Sequence, residues 1–201
     1  MQFLAQENTI DELEKLLKSR VPVKIDDRAD FVHAAVMMIL GERPEGLSLL
    51  FIKRPESDLD AFSGHMAFPG GKMKEGDESK LATAIRETHE EIGVDLNTSG
   101  HVLGELDDIN PNNPRARNFI VTPYLSVLRE EVAIVPNLFE VEASVWVPVK
   151  HLLDEKNFAV RMRERNGKLV EDYVYSFGKY IIWGMTGRIL QKFFSISSHL
   201  F

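Results

Sequence analysis

The sequence contains no cysteine among its 201 residues. A thiol nucleophile and a disulfide framework are therefore excluded. Long apolar runs are also missing, since none approaches the length that crosses a membrane. The polar start of the chain lacks the basic and apolar regions of a signal peptide. We therefore expect a cytoplasmic location and no membrane partner.

Excess positive charge is the next feature that the sequence lacks. Lysine and arginine together number 24, against 31 aspartates and glutamates, and the formal net charge is -7 at pH 7. Because nucleic-acid binding usually requires a basic face, we expect no nucleic-acid partner. The histidines form no His-Glu-x-x-His pair and no Gly-x-Ser-x-Gly turn occurs, which disfavours a zinc site and a serine nucleophile.

Length and apolar patterning predict one domain in which strands outnumber helices. A chain of this length can bury one substantial core. Thr9 and Glu12 form a capping-box pattern that predicts a helix from Thr9 to about Lys18. We expect residues 1–30 to form a helical extension that packs on a domain of residues 31–201. The other predicted elements are strands at 32–40, 47–52, 102–106, 119–128, 143–147 and 173–177, and helices at 148–153 and 181–194.

One nine-residue stretch, Arg-Glu-Thr-His-Glu-Glu-Ile-Gly-Val at residues 86–94, carries three glutamates on a predicted helix. Glu87 and Glu91 lie one turn apart on the same face, with Glu90 beside them. Such carboxylates repel one another without a cation, and hard oxygen ligands suit Mg²⁺ or Mn²⁺. The alternative is a solvated helix face held by weak ion pairs.

The residues before this stretch favour the metal site. Ala-Phe-Pro-Gly-Gly-Lys at residues 67–72 predicts a glycine turn after a short strand, where backbone can approach a ligand closely. Asp77, Glu78 and Ser79 follow where a helix N-terminus favours negative charge and a capping oxygen. The predicted order is strand, glycine loop and helix, with carboxylates along the helix.

With these residues the sequence resembles the Nudix hydrolases. Their box reads Gly, five residues, Glu, seven residues, then Arg-Glu-hydrophobic-x-Glu-Glu-x-Gly-hydrophobic. The second half matches from Arg86 onwards, except that Thr88 stands where a larger apolar residue is usual. The first half needs one inserted residue. Counted from Gly71 the acidic position holds Asp77, whereas counted back from Arg86 it holds Glu78, and either carboxylate could serve.

The resemblance implies an α/β fold, specifically the Nudix α/β/α sandwich with a mixed central sheet. It implies that Glu87, Glu90 and Glu91, with the backbone of Gly71, hold Mg²⁺ or Mn²⁺, and that Arg86 orients the glutamates. Many Nudix enzymes place a further glutamate near residues 140–142 as general base or metal ligand. We favour Glu140 over Glu142, against the alternative of ordinary loop charge.

A set of basic residues is predicted to contact substrate phosphate, against the alternative of solvated strand ends and loops. Lys53 and Arg54 end the strand before the box, and the others lie in the glycine loop and in a polar loop. The full set is Lys53, Arg54, Lys72, Arg115 and Arg117.

A narrower resemblance, to the coenzyme A diphosphatase-like branch of the family, covers residues 49–94 and resumes at 180–190. This branch usually has histidine two residues before Gly64 and glutamine after it, where this sequence has Phe62 and His65. The implied activity is metal-dependent hydrolysis of a diphosphate in a nucleoside diphosphate-X, with coenzyme A or its derivatives first and ADP-ribose or a nucleotide sugar second. The alternative of another class is a non-catalytic Nudix-fold ligand sensor. For assembly, the resemblance implies pairing of two chains as a homodimer.

Overall fold

The computed structural model of the protein describes residues 2–26, 30–57, 63–111, 118–165 and 168–201. Its strands, in chain order, are β1 Val32–Arg43, β2 Gly46–Lys53, β3 Met66–Ala67, β4 Gly70–Lys72, β5 Gly100–Glu105, β6 Phe119–Leu128, β7 Ala143–Pro148, β8 Phe158–Arg165, β9 Lys168–Phe177 and β10 Tyr180–Ile182. Its α-helices are α1 Gln2–Ser19, α2 Lys80–Ile92, α3 Leu96–Ser99, α4 Val149–Leu153 and α5 Gly184–Ser197.

Strand β1 is the centre of a seven-stranded mixed sheet. It pairs in parallel with β6 along one edge, and antiparallel with β2 and β4 along the other. β2 in turn pairs antiparallel with β3 and β7, and β6 with β5. The near-continuous apolar run of β1 is typical of a strand that is buried on both faces. The combination of parallel and antiparallel pairs confirms the mixed central sheet.

Helices cover both faces of this sheet. Along β1, alternate side chains enter two separate apolar clusters, with Met38 in one and Met37 in the other. The Met38 cluster includes residues of α1 and α5, and the Met37 cluster includes residues of α2 and α3. The α/β/α sandwich is therefore confirmed, and it places α2 across the middle of the sheet.

The N-terminal helix is longer than the capping-box pattern predicts. It begins at Gln2, so Thr9 lies inside the helix and does not cap it, and the Thr9 hydroxyl donates to the carbonyl of Leu200. Leu13 and Leu17 are buried in the core. The division into an extension of residues 1–30 and a domain of residues 31–201 stays a prediction. Within the described residues, no helix combines the length and apolar character needed to cross a membrane.

A second sheet of three antiparallel strands, in the order β10-β9-β8, lies in the C-terminal third of the chain. The prediction of a helix over residues 181–194 is wrong at its start, because Ile181 and Ile182 pair with β9. Trp183 is extended and Gly184, the first residue of α5, has φ +65°, so the chain turns where α5 begins.

Candidate metal centre

Helix α2 carries the predicted carboxylates into the protein. It begins after Ser79, whose hydroxyl accepts a hydrogen bond from the amide of Ala82, and ends at Gly93 with φ 71°. Its buried face is partly polar and includes two glutamates. Thr88, the departure from the box, is fully buried and donates to the carbonyl of Ala84. This hydrogen bond within the helix satisfies the hydroxyl, so a polar side chain can be buried where an apolar one is usual.

Three carboxylates converge beside this helix. Each of Glu87, Glu91 and Glu140 offers an oxygen within 4.8 Å of the other two. Glu140 belongs to the loop after β6, and that loop docks on the end of α2 because the amide of Asn137 donates to the carbonyl of Glu91 at 2.9 Å. The structure therefore brings together two glutamates of the helix and one that is distant in sequence.

Glu91 is the most deeply buried member, with 1% of its surface exposed. Burial raises the pKa of its carboxyl to about 8, although a hydrogen bond from the amide of Gly70 at 2.9 Å and the charge of Arg54 favour the ionised form. The Nη1 atom of Arg54 lies 3.9 Å from Oε1 of Glu91. A buried carboxyl with two acidic neighbours is strongly biased towards binding a proton or a cation.

Arg86 holds three carboxylates, those of Asp77, Glu87 and Glu90, by hydrogen bonds. Its Nε and Nη2 atoms donate to the two oxygens of Asp77 at 2.8 and 2.9 Å, and its Nη1 donates to Glu87 at 2.6 Å and Glu90 at 2.9 Å. Hydrogen bonds from Arg86 lower the pKa of Asp77 well below its usual range, and the same bonds raise the pKa of Arg86. Glu78 is exposed. Of the two carboxylates that the sequence left open, Asp77 is therefore the one that contacts Arg86.

We expect Asp77→Asn to lower kcat/KM about 10- to 100-fold, and to raise the Mg²⁺ concentration that gives half-maximal rate. The reason is that Asp77 orients Arg86, which in turn orients two glutamates, and such supporting contacts have effects of this size. Glu78→Gln is the matched control and should stay within about twofold of wild type. Titration of activity with Mg²⁺ measures both. A loss confined to the Glu78 variant would reverse the assignment.

Glu90 lies outside the group of three. Its side chain is exposed on α2, and Oε2 pairs with Arg86 and, at 3.1 Å, with Nζ of Lys74. The same ammonium is 3.6 Å from Glu87, and the hydrogen bond to Glu90 raises the pKa of Lys74. Sequence reasoning missed Lys74, because nothing in the box marks a loop lysine 16 positions before its partner. The role of Glu90 as a metal ligand stays a prediction.

Gly71 lies against the carboxylate of Glu87. A Cβ atom added at Gly71 would be 2.5 Å from Oε2 of Glu87, whereas at Gly70 it would collide with the backbone of Ala35 and Val36. Gly70 also has φ +152°, which favours glycine. The two glycines therefore let strand β4 pass directly beside the buried glutamates, as the glycine turn predicts.

The predicted phosphate contacts lie in different places. Arg54 faces the cluster of carboxylates, as described above. Lys53 pairs with Glu142 at 2.6 Å, and that hydrogen bond raises its pKa. The ammonium of Lys72 lies over the ring of Phe119. Arg115 and Arg117 lie outside the described residues. Of the three members that are described, Arg54 is the one that lies beside the glutamates.

Comparisons with known proteins return relatives along most of the chain. The family model described as the NUDIX domain matches residues 31–172. A protein from Photorhabdus laumondii named "Uncharacterized Nudix hydrolase NudL" is 29% identical over 160 residues, which are 80% of this chain and 82% of that one. A protein of the same name from Yersinia enterocolitica is 28% identical over 192 residues, 95% of each chain. Nudix hydrolase 15, mitochondrial, of Arabidopsis thaliana is 31% identical over 189 residues, 90% of this chain and 64% of that one.

Solved structures agree in fold. A MutT/nudix family protein from Enterococcus faecalis aligns with a TM-score of 0.55 at 21% identity, over 92% of this chain and 68% of that chain. The NUDIX domain of Shewanella oneidensis NrtR, solved in complex with ADP ribose, aligns with a TM-score of 0.50 at 20% identity, over 63% and 78%. At these identities the likeness establishes the fold alone.

Proposed function

This chain belongs to the Nudix family and is a diphosphate hydrolase, and from that premise we propose that its substrate is a nucleoside diphosphate-X, with coenzyme A or a derivative first. The observation that carries the proposal is the convergence of Glu87, Glu91 and Glu140. Non-catalytic Nudix domains often lose carboxylates of the box, whereas Glu87, Glu90 and Glu91 are all present in this chain.

The three carboxylates fit a divalent cation. They offer hard oxygen ligands within 4.8 Å of one another, as Mg²⁺ and Mn²⁺ prefer. Gly71 leaves the space that the carboxylate of Glu87 occupies. We propose that Glu87 and Glu91 hold the cation, with Glu90 and the backbone of Gly71 as further ligands. When bound, the cation supplies charge neutralisation on the diphosphate and activation of the attacking water.

The residues around the carboxylate cluster have separate proposed roles in positioning, proton transfer and phosphate binding. Arg86 and Gly70 hold the two buried glutamates in place by the hydrogen bonds described above. Glu140 is exposed, whereas Glu87 and Glu91 are buried, so Glu140 is the carboxylate that solvent reaches. We therefore propose that Glu140 is the general base, which accepts the proton that the attacking water loses. Arg54, beside the cluster, is placed to contact a phosphoryl oxygen.

Coenzyme A ranks first because of two segments that carry the narrower resemblance. The first, residues 49–94, contains His65 and the glycine turn, and the second, residues 180–190, contains Trp183. In the fold the two rings lie 4.7 Å apart, and the amide of Arg54 donates to the carbonyl of His65. Two segments separated by more than eighty residues of the chain thus adjoin one edge of the candidate metal centre. ADP-ribose or a nucleotide sugar is the runner-up.

The test is hydrolysis of a substrate panel by purified protein with Mg²⁺ or Mn²⁺. The panel contains coenzyme A, ADP-ribose, nucleotide sugars, dinucleoside polyphosphates and nucleoside triphosphates, with products identified by mass. We expect 4′-phosphopantetheine and 3′,5′-ADP from coenzyme A, and loss of turnover when a chelator removes the metal. Preference for ADP-ribose would promote the runner-up. Binding without any cleavage would favour the sensor.

Two expectations about context stay predictions. We propose a cytoplasmic location and pairing of two chains, the latter by analogy with the family alone. Fractionation of cells and analytical ultracentrifugation test them separately from activity.

A further inference from the structure

One face of the three-stranded sheet surrounds a cavity of about 380 Å³. In the antiparallel register Arg161 lies opposite Asp172, and Ile181 lies opposite Ser176. Alternation along each strand therefore puts a set of charged and apolar residues on the same face. We call this set the β8–β10 face; it consists of Arg161, Arg163, Asp172, Val174, Ile181 and Trp183, and all six line the cavity.

The charge of the β8–β10 face is positive. The guanidinium of Arg163 donates through Nε and Nη2 to both oxygens of Asp172, which is buried, so one positive and one negative charge are mutually paired. Arg161 is exposed and makes no hydrogen bond or ion pair with any residue in the described ranges. The positive charge of Arg161 is therefore not neutralised by a described residue. It lies next to Arg163, whose position is fixed by the hydrogen bonds to Asp172.

The rest of the lining is apolar or aromatic. Val174 is buried at the base of the face, and Ile181 is 43% exposed. The guanidinium of Arg163 lies 5.9 Å from the ring centre of Trp183. A cavity with an apolar base, an indole wall and a net positive charge suits a ribose or base that carries an anionic group.

A short series of contacts joins this cavity to the candidate metal centre. The ring of Trp183 packs 4.7 Å from that of His65, and the carbonyl of His65 accepts from the amide of Arg54. The side chain of Arg54 then lies 3.9 Å from Glu91. Among the described residues, these contacts link Trp183, which lines the cavity, to Glu91 through His65 and Arg54, so the cavity adjoins the side of the candidate metal centre where Arg54 lies.

We infer that the β8–β10 face binds a phosphomonoester carried on the nucleoside half of the substrate, apart from the diphosphate that is cleaved. Arg161 provides the principal charge and Arg163 the oriented second donor. The inference rests on the proposed function and narrows it, because coenzyme A carries a 3′-phosphate, whereas ADP-ribose and 3′-dephospho-coenzyme A do not.

The experiment compares coenzyme A with 3′-dephospho-coenzyme A, which differ only in that phosphate. We expect wild type to prefer coenzyme A in kcat/KM by about tenfold, as one partly exposed charged hydrogen bond allows. Arg161→Gln should remove most of this preference by raising KM for coenzyme A, with kcat changed by less than about twofold. Arg161→Lys should restore part of it. Arg129→Gln, an exposed arginine elsewhere, is the matched control and should keep the wild-type ratio.

Each outcome bears on the inference separately from the proposed function. Equal cleavage of both substrates by wild type, or equal losses on both in Arg161→Gln, would overturn the subsite while diphosphate hydrolysis stands. If neither substrate is cleaved, the affinities for 3′,5′-ADP and for AMP, measured by calorimetry, still test whether the subsite binds the 3′-phosphate. Tighter binding of 3′,5′-ADP that Arg161→Gln abolishes supports the subsite, and equal affinities overturn it.

Discussion

Replacing Glu91 by glutamine should lower kcat/KM by about 10³-fold and, in the same variant, raise the stability of the metal-free protein at alkaline pH. The side chain keeps its size and can still accept the hydrogen bond from Gly70. It loses the negative charge beside Glu87 and Glu140. A bound cation contributes several kcal/mol to stabilising the transition state, and about 4 kcal/mol corresponds to three orders of magnitude in rate.

The stability change follows from the pKa of Glu91, which burial raises from 4.5 to about 8. Between these two values the native state keeps a proton that the unfolded chain has released. The contribution of this group to the free energy of unfolding therefore falls as pH rises from 4.5 to 8, and stays low above pH 8. Without metal, we expect Glu91→Gln to exceed wild type by roughly 2–5 kcal/mol at pH 9 and to match it near pH 5.

Thermal unfolding with and without Mg²⁺ measures this second effect. Added Mg²⁺ should raise the Tm of wild type by mass action and leave that of Glu91→Gln nearly unchanged. Glu78→Gln, which removes an exposed carboxylate from the same region, should behave as wild type in activity and in both melts. Full activity in Glu91→Gln would show that Glu91 is not a ligand.

The helix carboxylates could be predicted because their spacing alone determines their relative positions. Residues four apart on a helix share a face whatever the rest of the fold does, and the glycine turn before the helix requires close approach of backbone. The structure brings Glu87 and Glu91 together and buries both. The strands of the main sheet were predictable for a similar reason, since β1, β2 and β6 are long, apolar and bounded by turn residues.

Contacts between distant segments could not be predicted in the same way. The approach of Glu140 depends on the loop that docks Asn137 on the end of α2, which no local pattern encodes. The choice of Asp77 over Glu78 depends on which carboxylate faces Arg86 after the turn. Thr9 matched a helix-capping pattern, but the helix begins at Gln2, and the Thr9 hydroxyl donates to the carbonyl of Leu200, which is distant in the sequence. Tertiary packing outweighed the local signal there.

Gly71→Ala should lower kcat/KM about 100-fold while changing the free energy of unfolding by less than about 1 kcal/mol. An added Cβ would lie 2.5 Å from Oε2 of Glu87, so the carboxylate must move away from the strand. Only the end of a side chain has to shift, and Gly71 does not adopt a positive φ, so the fold accepts the change. The loss should appear mainly as weaker Mg²⁺ binding, measured by activity across a Mg²⁺ titration and by calorimetry.

Gly70→Ala separates this effect from general disruption of the strand. Its Cβ would meet the backbone of Ala35 and Val36, and φ is +152°, so we expect a loss of about 2 kcal/mol or more in stability. Gly71→Ala should instead melt close to wild type and regain part of its activity at high Mg²⁺. If Gly71→Ala keeps wild-type activity and Mg²⁺ dependence, the position of the Glu87 carboxylate does not limit catalysis. If it melts as early as Gly70→Ala, the strand rather than the metal site depends on Gly71.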